Sequence, residues 1–570
     1  MKKYLIRSVH KILQFVPKPL KDQLKKSEQL TSLYIKSVRK AGLFYDAPTA
    51  EKNQELYEQW LHFRETKSSP EEDNAQRWQA IIFGSEGITE TINSVQSQGV
   101  EAFFCVAQES SSPENAPLSA NCFRSITKQL DKEIPTLLLN SRDTLAHNAI
   151  AWFFDSLSHS NIAYCDTDEL SENGVRRNPR FFPDWNPELH FSTAYVQTGV
   201  MLNTSLLSNL DFLEVSTVAE LVSELIFSRK QTNINHIALP LIHTQVTKSQ
   251  VTNELLSVKR SLERHKSVNV LHDEAKGVNS VMWKSAEPLV SLIIPTKNGK
   301  ALVKACIESI IEKTTYSNYE ILLIDNESDD LDSLKYFDYL NSLPKVRVLK
   351  YSAPFNYSAI NNFGVKHANG SVIGLINNDV EVITPQWLTY MVGHAQRSEV
   401  GCVGAKLLYS DTRIQHAGVV LGYGGGAGHA HKNFPRNHSG YLDRIKATNN
   451  YSAVTAACLL VKRGHFEQVG GLNEEQLAVA FNDVDLCLKV REFGVNNVYC
   501  AEAELFHHES VSRGLDISPE KAARFNRELE FLKSTWPHLI KDDPAYSPNL
   551  TLKRENFSIK TKDELLSGKV

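Results

Sequence analysis

The chain has no Cys-x-x-Cys pair and no apolar run near the roughly 20 residues needed to span a bilayer. Its eight cysteines (105, 122, 165, 306, 402, 458, 487 and 500) are scattered, mostly inside apolar runs. That pattern predicts reduced, buried thiols in a cytosolic protein and argues against a disulfide or zinc framework. Low-complexity tracts are also missing, and with a net charge of −4 there is no excess of positive charge to suggest a nucleic-acid partner. At 570 residues the chain is too long for one core, so two or three domains are expected.

The first residues, MKKYLIRSVHKILQFVPKP, do not make a signal peptide, because Arg7, His10 and Lys11 interrupt the apolar segment. Ile6, Val9, Leu13 and Val16 instead lie at helical spacing. Residues 1–41 hold eleven Lys/Arg against two acids. Such a basic amphipathic helix can rest on anionic lipid, or it can pack as a solvated arm on its own protein. Residues 1–74 are therefore expected to form a helical arm.

A regular α/β pattern follows, and it occurs twice. AIIFGSEG (80–87) is an apolar strand ending at Gly87, followed by a short helix and the strand VEAFFCVA (100–107). LIIPTKNG (292–299) repeats that order, with a helix and then YEILLID (319–325). Further on, LLLNSRDTLAHNAIAWF (137–153) parallels LINNDVEVITPQWLTYM (375–391): apolar strand, polar knot, helix opening. Two tandem α/β units are expected, at 75–248 and 288–540. A helical linker ending in a loose connector spans 249–287, and 541–570 form a tail. Strands alternating with helices imply parallel sheets, whose ligand sites lie beyond the carboxyl ends of the strands.

The copies differ at the knot. The second has Asn377-Asn378-Asp379 and Glu381. The first, with Asn140-Ser141-Arg142-Asp143, reads as having lost the matching acid. Its own acid pair, Asp166 and Asp168, is short enough to be an ordinary turn. The crowd of glycines in LGYGGGAGHAH matches no phosphate-binding fingerprint and reads as a mobile loop. His416, His429 and His431 lack a cysteine partner, which argues against zinc.

Four segments of the second unit occur in a distinctive order: LVSLIIPTKNG with YEILLIDNESDD, FNYSAINNFGVKHANG before LINNDVEV, AVTAACLLVKR running into VGGLNE and AFNDVDLCLKVREFG, and finally ELFHHESVSRG. Together they resemble the family 2 glycosyltransferases, nucleotide-sugar enzymes of the GT-A fold. PFNYSAINN, QHAGVV and HHESVSRG are most similar to the bacterial branch building O-antigen and other surface polysaccharides, often rhamnosyltransferases. PRFFPDWNPELHFSTAYVQTG (179–199) resembles a segment of tandem proteins in that branch, which makes the first unit a degenerate GT-A-like domain.

The resemblance implies a Rossmann-like mixed sheet flanked by helices and an inverting transfer from a nucleotide-diphosphate sugar. The acceptor is then a glycan or lipid-linked oligosaccharide, and the protein works in the cytoplasm, peripherally at the inner face of the plasma membrane. Asp379 stands at the last acid of the family's metal-binding Asp-x-Asp, implying Mg²⁺ or Mn²⁺, while Asn377 occupies the first acidic position and brings no charge. Asp483 is the implied base, with Asn482 and Asp485 orienting neighbours or the acceptor; as a lone acid at a helix N-terminus it could also be a cap. His507, rather than His508, is the implied metal ligand. Pro295, Thr296, Asn298, Asp325, Glu327, Asn362, Asn378 and Arg513 are the candidates for holding the nucleotide sugar. A nucleotidyltransferase and a non-catalytic sugar-binding or assembly protein are the competing readings.

Overall fold

The computed structural model describes residues 49–65, 70, 76–84, 86–98, 102–107, 123–210, 215–228, 233–245, 247–264, 268–508 and 519–567. The basic segment 1–41 and Arg513 lie outside the described residues. The chain divides into two compact units, one comprising 48–281, 544–551 and 558–570, the other 282–543 and 552–557.

The first unit is built on eight strands: β1 (Trp78–Phe83), β2 (Ala102–Ala107), β3 (Thr136–Asn140), β4 (Thr144–Leu145), β5 (Ile162–Leu170), β6 (Arg176–Arg180), β7 (Val200–Leu202) and β8 (Ile234–His243). Their order is β2-β1-β3-β7-β5-β8-β4, with β6 on the side of β5. A two-stranded sheet of β9 (Val268–Asp273) and β10 (Val278–Trp283) follows.

The second unit carries β11 (Val290–Thr296), β12 (Tyr319–Asp325), β13 (Val346–Lys350), β14 (Val372–Ile376), β15 (Val380–Val382), β16 (Val400–Leu408) and β17 (Ile414–His416). After these come β18 (Val419–Leu421), β19 (Ala427–His429), β20 (Asn449–Tyr451), β21 (Cys458–Lys462) and β22 (Asn496–His507). Its main sheet runs β13-β12-β11-β14-β21-β16-β22-β15, with β17 on β16 and β20 on β22. Strands β11, β12 and β14 are parallel and buried on both faces, hence their nearly continuous apolar sequences.

The repeat heard faintly in the sequence is complete in the topology. Strand for strand, β2-β1-β3-β7-β5-β8-β4 matches β12-β11-β14-β21-β16-β22-β15, and each neighbouring pair has the same sense. β3 and β7 are antiparallel like β14 and β21, β5 and β8 parallel like β16 and β22, and β4 and β8 antiparallel like β15 and β22. Gly87 and Gly299, each closing its first strand–helix turn, both adopt a left-handed φ, of 72° and 70°. Among the described residues, β13 and the β18–β20 excursion belong to the second copy alone.

This alignment corrects the reading of the knot. Asp143 comes three residues after the end of β3 and directly before β4, just as Asp379 follows β14 and precedes β15. The first copy keeps its acid; matching the two knots on their asparagines sets them two residues out of step. Other corrections concern boundaries. Much of 249–287 is regular: the helix Lys248–Arg264 buries Leu255, Val258 and Leu262 beside the helix Val218–Ser228, β9 pairs with β10, and an irregular stretch at 284–287 leads on to β11. Part of the expected arm, the helix Ala50–Glu65, is integral to the first unit, where Tyr57 and Trp60 pack on Phe181. The expected tail is divided between the units.

The helix Trp387–Ala395, which follows the second knot, is fixed by Trp387, fully buried and donating its indole N–H to Thr314 Oγ1 at 3.0 Å. Trp387→Ala should cost about 3–5 kcal/mol, measured as a fall of several degrees in thermal unfolding.

Candidate active site

The carboxyl ends of β11, β12 and β14 meet at one edge of the second sheet. Thr296 is paired with Asp325 in the β11–β12 ladder. Thr296 Oγ1 accepts from the Asn378 amide at 2.9 Å, which ties the end of β11 to the knot after β14. Asn298, with φ 53°, accepts from the backbone N–H groups of Asp329 and Asp330, and Asp325 accepts from Ser328 N–H at 3.0 Å. Pro295 is half-buried in β11, while Glu327 (φ 56°), two residues beyond β12, is exposed. These residues form the polar lip of the edge.

Asp379 is brought to His507 by sheet register. Val380 lies directly opposite His507 in the antiparallel β15–β22 pair, and His508 N–H donates to Asp379 O at 2.9 Å. The Asp379 carboxylate stands 3.3 Å from His507 Nε2, and both side chains are 7% exposed. His508 faces the other way, with Nδ1 2.7 Å from Ser410 Oγ and Nε2 3.3 Å from Glu381. His507 is therefore the histidine at this corner.

Asn377 answers for the missing acid. Its amide oxygen accepts from the Tyr357 hydroxyl at 3.0 Å, and its amide nitrogen lies 3.2 Å from His507 Nε2. An amide nitrogen can only donate, so the Nε2 lone pair accepts from Asn377, and a cation taking that lone pair would displace this hydrogen bond. Tyr357, not recognised as a site residue from sequence, thus orients Asn377, and through it His507. It sits in the FNYSAINN motif, where the site residue expected from sequence is Asn362.

Asp483 opens the helix Asn482–Arg491 and is half-buried. Burial pushes its carboxyl above the ordinary carboxylate range, opposed by hydrogen bonds from Ala456 N–H, Thr455 and Val484 N–H. Ala456 and Ala457 bridge the site: Ala456 N–H donates to Asp483 at 3.0 Å, while Ala457 O accepts from Asn377 N–H at 3.0 Å. Two consecutive residues therefore separate the raised carboxyl from the knot. The turn leading to Asp483 is held by buried Glu528, which accepts from Val479 and Ala480 N–H at 2.9 and 3.0 Å. Glu528 was invisible in the sequence because it lies in an ordinary amphipathic helix, Pro519–Thr535.

Other candidates sit elsewhere. Asn362 clasps Leu472 through both backbone groups and reaches Glu474, so it secures the 471–474 turn. Asn482 donates to Val479 O. Asp485 is buried against Trp536 Nε1 at 3.0 Å and Lys489 at 3.1 Å. The glycine cluster forms the β18–β19 hairpin, with Gly426 beside Leu529 and Gly422 beside Leu552. His416 and His429 face each other at 2.9 Å, whereas His431 stacks on Phe557.

The Asp379–His507 corner fits a hard divalent cation. Adjacent donors on a cation with bonds of about 2.1 Å stand about 3 Å apart, close to the observed 3.3 Å. Among the described residues no cluster of three or more His, Cys, Asp or Glu is arranged to hold a metal, so further donors would have to come from ligand or water.

A mixed sheet of this order, with a polar knot and a histidine at the strand ends, fits the GT-A fold that the sequence resemblance implies. Residues 291–470 match the family model described as glycosyl transferase family 2. The uncharacterized protein y4gI of Sinorhizobium fredii is 41% identical over 457 residues, 76% of this chain and 50% of that protein. The O-antigen biosynthesis protein RfbC of Myxococcus xanthus is 31% identical over 444 residues, 75% and 34% of the two chains. An N-acetylglucosaminyl-diphospho-decaprenol L-rhamnosyltransferase of Mycobacterium tuberculosis is 37% identical over 79 residues, 14% and 25% of the two. The chain spans about half the length, or less, of these curated relatives. Residues 291–470 thus carry a family 2 glycosyltransferase domain, and the chain has relatives in bacterial polysaccharide assembly.

Asn377→Asp adds the absent charge while keeping an acceptor for Tyr357. It should tighten Mn²⁺ binding by about tenfold, measured by titration calorimetry on the full chain.

Proposed function

We propose that the second unit transfers a sugar, with inversion, from a nucleotide-diphosphate donor to a hydroxyl of a lipid-linked or growing surface polysaccharide. Rhamnose is the sugar favoured by the likeness of one relative. The observation that carries this reading is the register-fixed pairing of Asp379 with His507, beside a carboxyl raised above its ordinary range. The acceptor would be met at the cytoplasmic face of the membrane, where lipid-linked intermediates present their sugars.

Asp379 and His507 would hold Mg²⁺ or Mn²⁺, which would supply positive charge to the leaving diphosphate. Asp483 takes the proton of the acceptor hydroxyl as that oxygen attacks the anomeric carbon. A raised pKa makes it a stronger base than a solvent-exposed aspartate. Thr296, Asn298, Asp325 and Asn378 line the edge that would orient the nucleotide. Inversion needs one displacement and no covalent sugar–enzyme intermediate.

Asp483→Asn should lower kcat by about 10²–10⁴-fold with little change in donor KM, measured as nucleotide release from a panel of nucleotide sugars with Mn²⁺. A nucleotidyltransferase would tolerate this change, so unaltered turnover would exclude base catalysis by Asp483. Because the base acts when ionised, kcat should fall as pH drops through the raised pKa of Asp483. The acid limb of the profile should therefore lie above the pH of an ordinary aspartate. Measured between pH 4 and 8, a flat profile would contradict the assignment.

A further inference from the structure

The first unit opens a cleft of about 540 Å³ lined by Arg142, Glu169, Glu172, Asn173, Arg177 and Gln245, among others. Arg142 lies in the link between β3 and β4, Glu169 near the end of β5, and Gln245 two residues beyond β8. Their counterparts β14, β16 and β22 end at Ile376, Leu408 and His507, close in sequence to Asp379, Ser410 and His508. The cleft therefore lies, within its own sheet, at the strand ends that carry the candidate site in the second.

The chemistry of this corner has changed. Asp143 is 1% exposed and turned inward, accepting from Asn140 N–H at 2.7 Å and from the Thr198 hydroxyl. Burial pushes its carboxyl up to about 6, the hydrogen bonds from Thr198, Asn140 and Thr244 opposing. His243, opposite Thr144 as His507 is opposite Val380, is taken by Asp168 at 2.5 Å. Asp168 also binds Arg176 at 2.6 Å and the Tyr57 hydroxyl at 2.5 Å. Asp166 is held by His236 and Phe182 N–H. Burial opposes a charged His236, yet Asp166 overcomes it and lifts the ring to about 9. Asp143, Asp166 and Asp168 are thus already satisfied by the protein.

What the cleft offers instead is an even mixture. Two guanidiniums and two carboxylates cancel in charge, and two amides add both donors and acceptors. Arg142 pairs with Glu86 and Arg177 with Glu169, at partly exposed sites. Arg142 stands in the left-handed region (φ 74°), a conformation disfavoured for a non-glycine residue. A diphosphate would meet Glu169 and Glu172 without a metal between them. A neutral polyhydroxyl ligand can use donors and acceptors together.

We propose that the first unit is a metal-independent saccharide-binding module, holding neutral sugar residues of a glycan chain in this cleft. The assignment is independent of whether the second unit transfers sugar. The test is binding of the full chain, in EDTA, to an array of bacterial O-antigen oligosaccharides. Wild type and an Asp379→Ala/His507→Ala double variant should bind the same glycans. Arg142→Gly, which relieves the backbone strain, Arg177→Ala and the exposed-site change Gln245→Ala should each weaken that binding, the arginine variants at least tenfold. Thermal unfolding of each variant identifies any that fail to fold. Absence of glycan binding in EDTA would overturn the proposal. So would binding that survives all three first-unit substitutions, or binding lost in the Asp379→Ala/His507→Ala variant.

Discussion

Two short stretches of strand decide whether the second unit has a site at all. β15 has three residues, and their antiparallel pairing with the end of β22 sets Val380 against His507. Neither Asp379 nor His507 has a neighbour in sequence that would bring the other near. The backbone ladder does that, and it leaves side chains only the task of fine orientation. Tyr357 and Asn377 then turn the imidazole, and Ala456–Ala457 hold Asp483 to the same knot. Chemistry that looks like a property of a few polar side chains rests on main-chain hydrogen bonds between strands remote in the chain.

The two units show how the same ladder can be kept while its use is changed. β4 meets β8 as β15 meets β22, and an aspartate precedes the short strand in each. In the first copy buried partners absorb the charges: threonine hydroxyls and a backbone N–H around Asp143, and Arg176, His243 and Tyr57 around Asp168. Burying carboxylates is costly unless they are paired or hydrogen-bonded, and here both devices are used. The site was not deleted from the fold; its donors were turned inward.

Much of this could be read from sequence. Apolar runs ending in polar residues located β11, β12 and β14, and the resemblance of the second unit picked out Asp379, Asp483 and His507. Features that depend on long-range register could not be read. The β3 and β14 knots were matched on their asparagines, a local likeness, whereas the true match counts from the strand ends. Asn362 and Asp485 were nominated by motif, but what they touch is set by helices and turns packed from elsewhere. Tyr357 and Glu528 carry no local signal of their purpose: one is a tyrosine at a helix start, the other an acid on an amphipathic helix. Within 249–287, the part after the helix reads as a loose connector, because the β9–β10 pairing depends on register rather than on a long apolar run.

The histidine doublet has a further meaning in light of the bulge in β22. Between Ala405 and Lys406 of β16, the partner in β22 jumps from Cys500 to Glu504. Loss of one residue from that bulge would advance the strand by a single position, which ordinarily exchanges the two faces of a sheet. Here the next residue, His508, would arrive opposite Val380 with the same ring. The doublet gives this corner a spare: a length change in an irregular strand need not remove its imidazole, so strand length can drift without emptying the position opposite Val380.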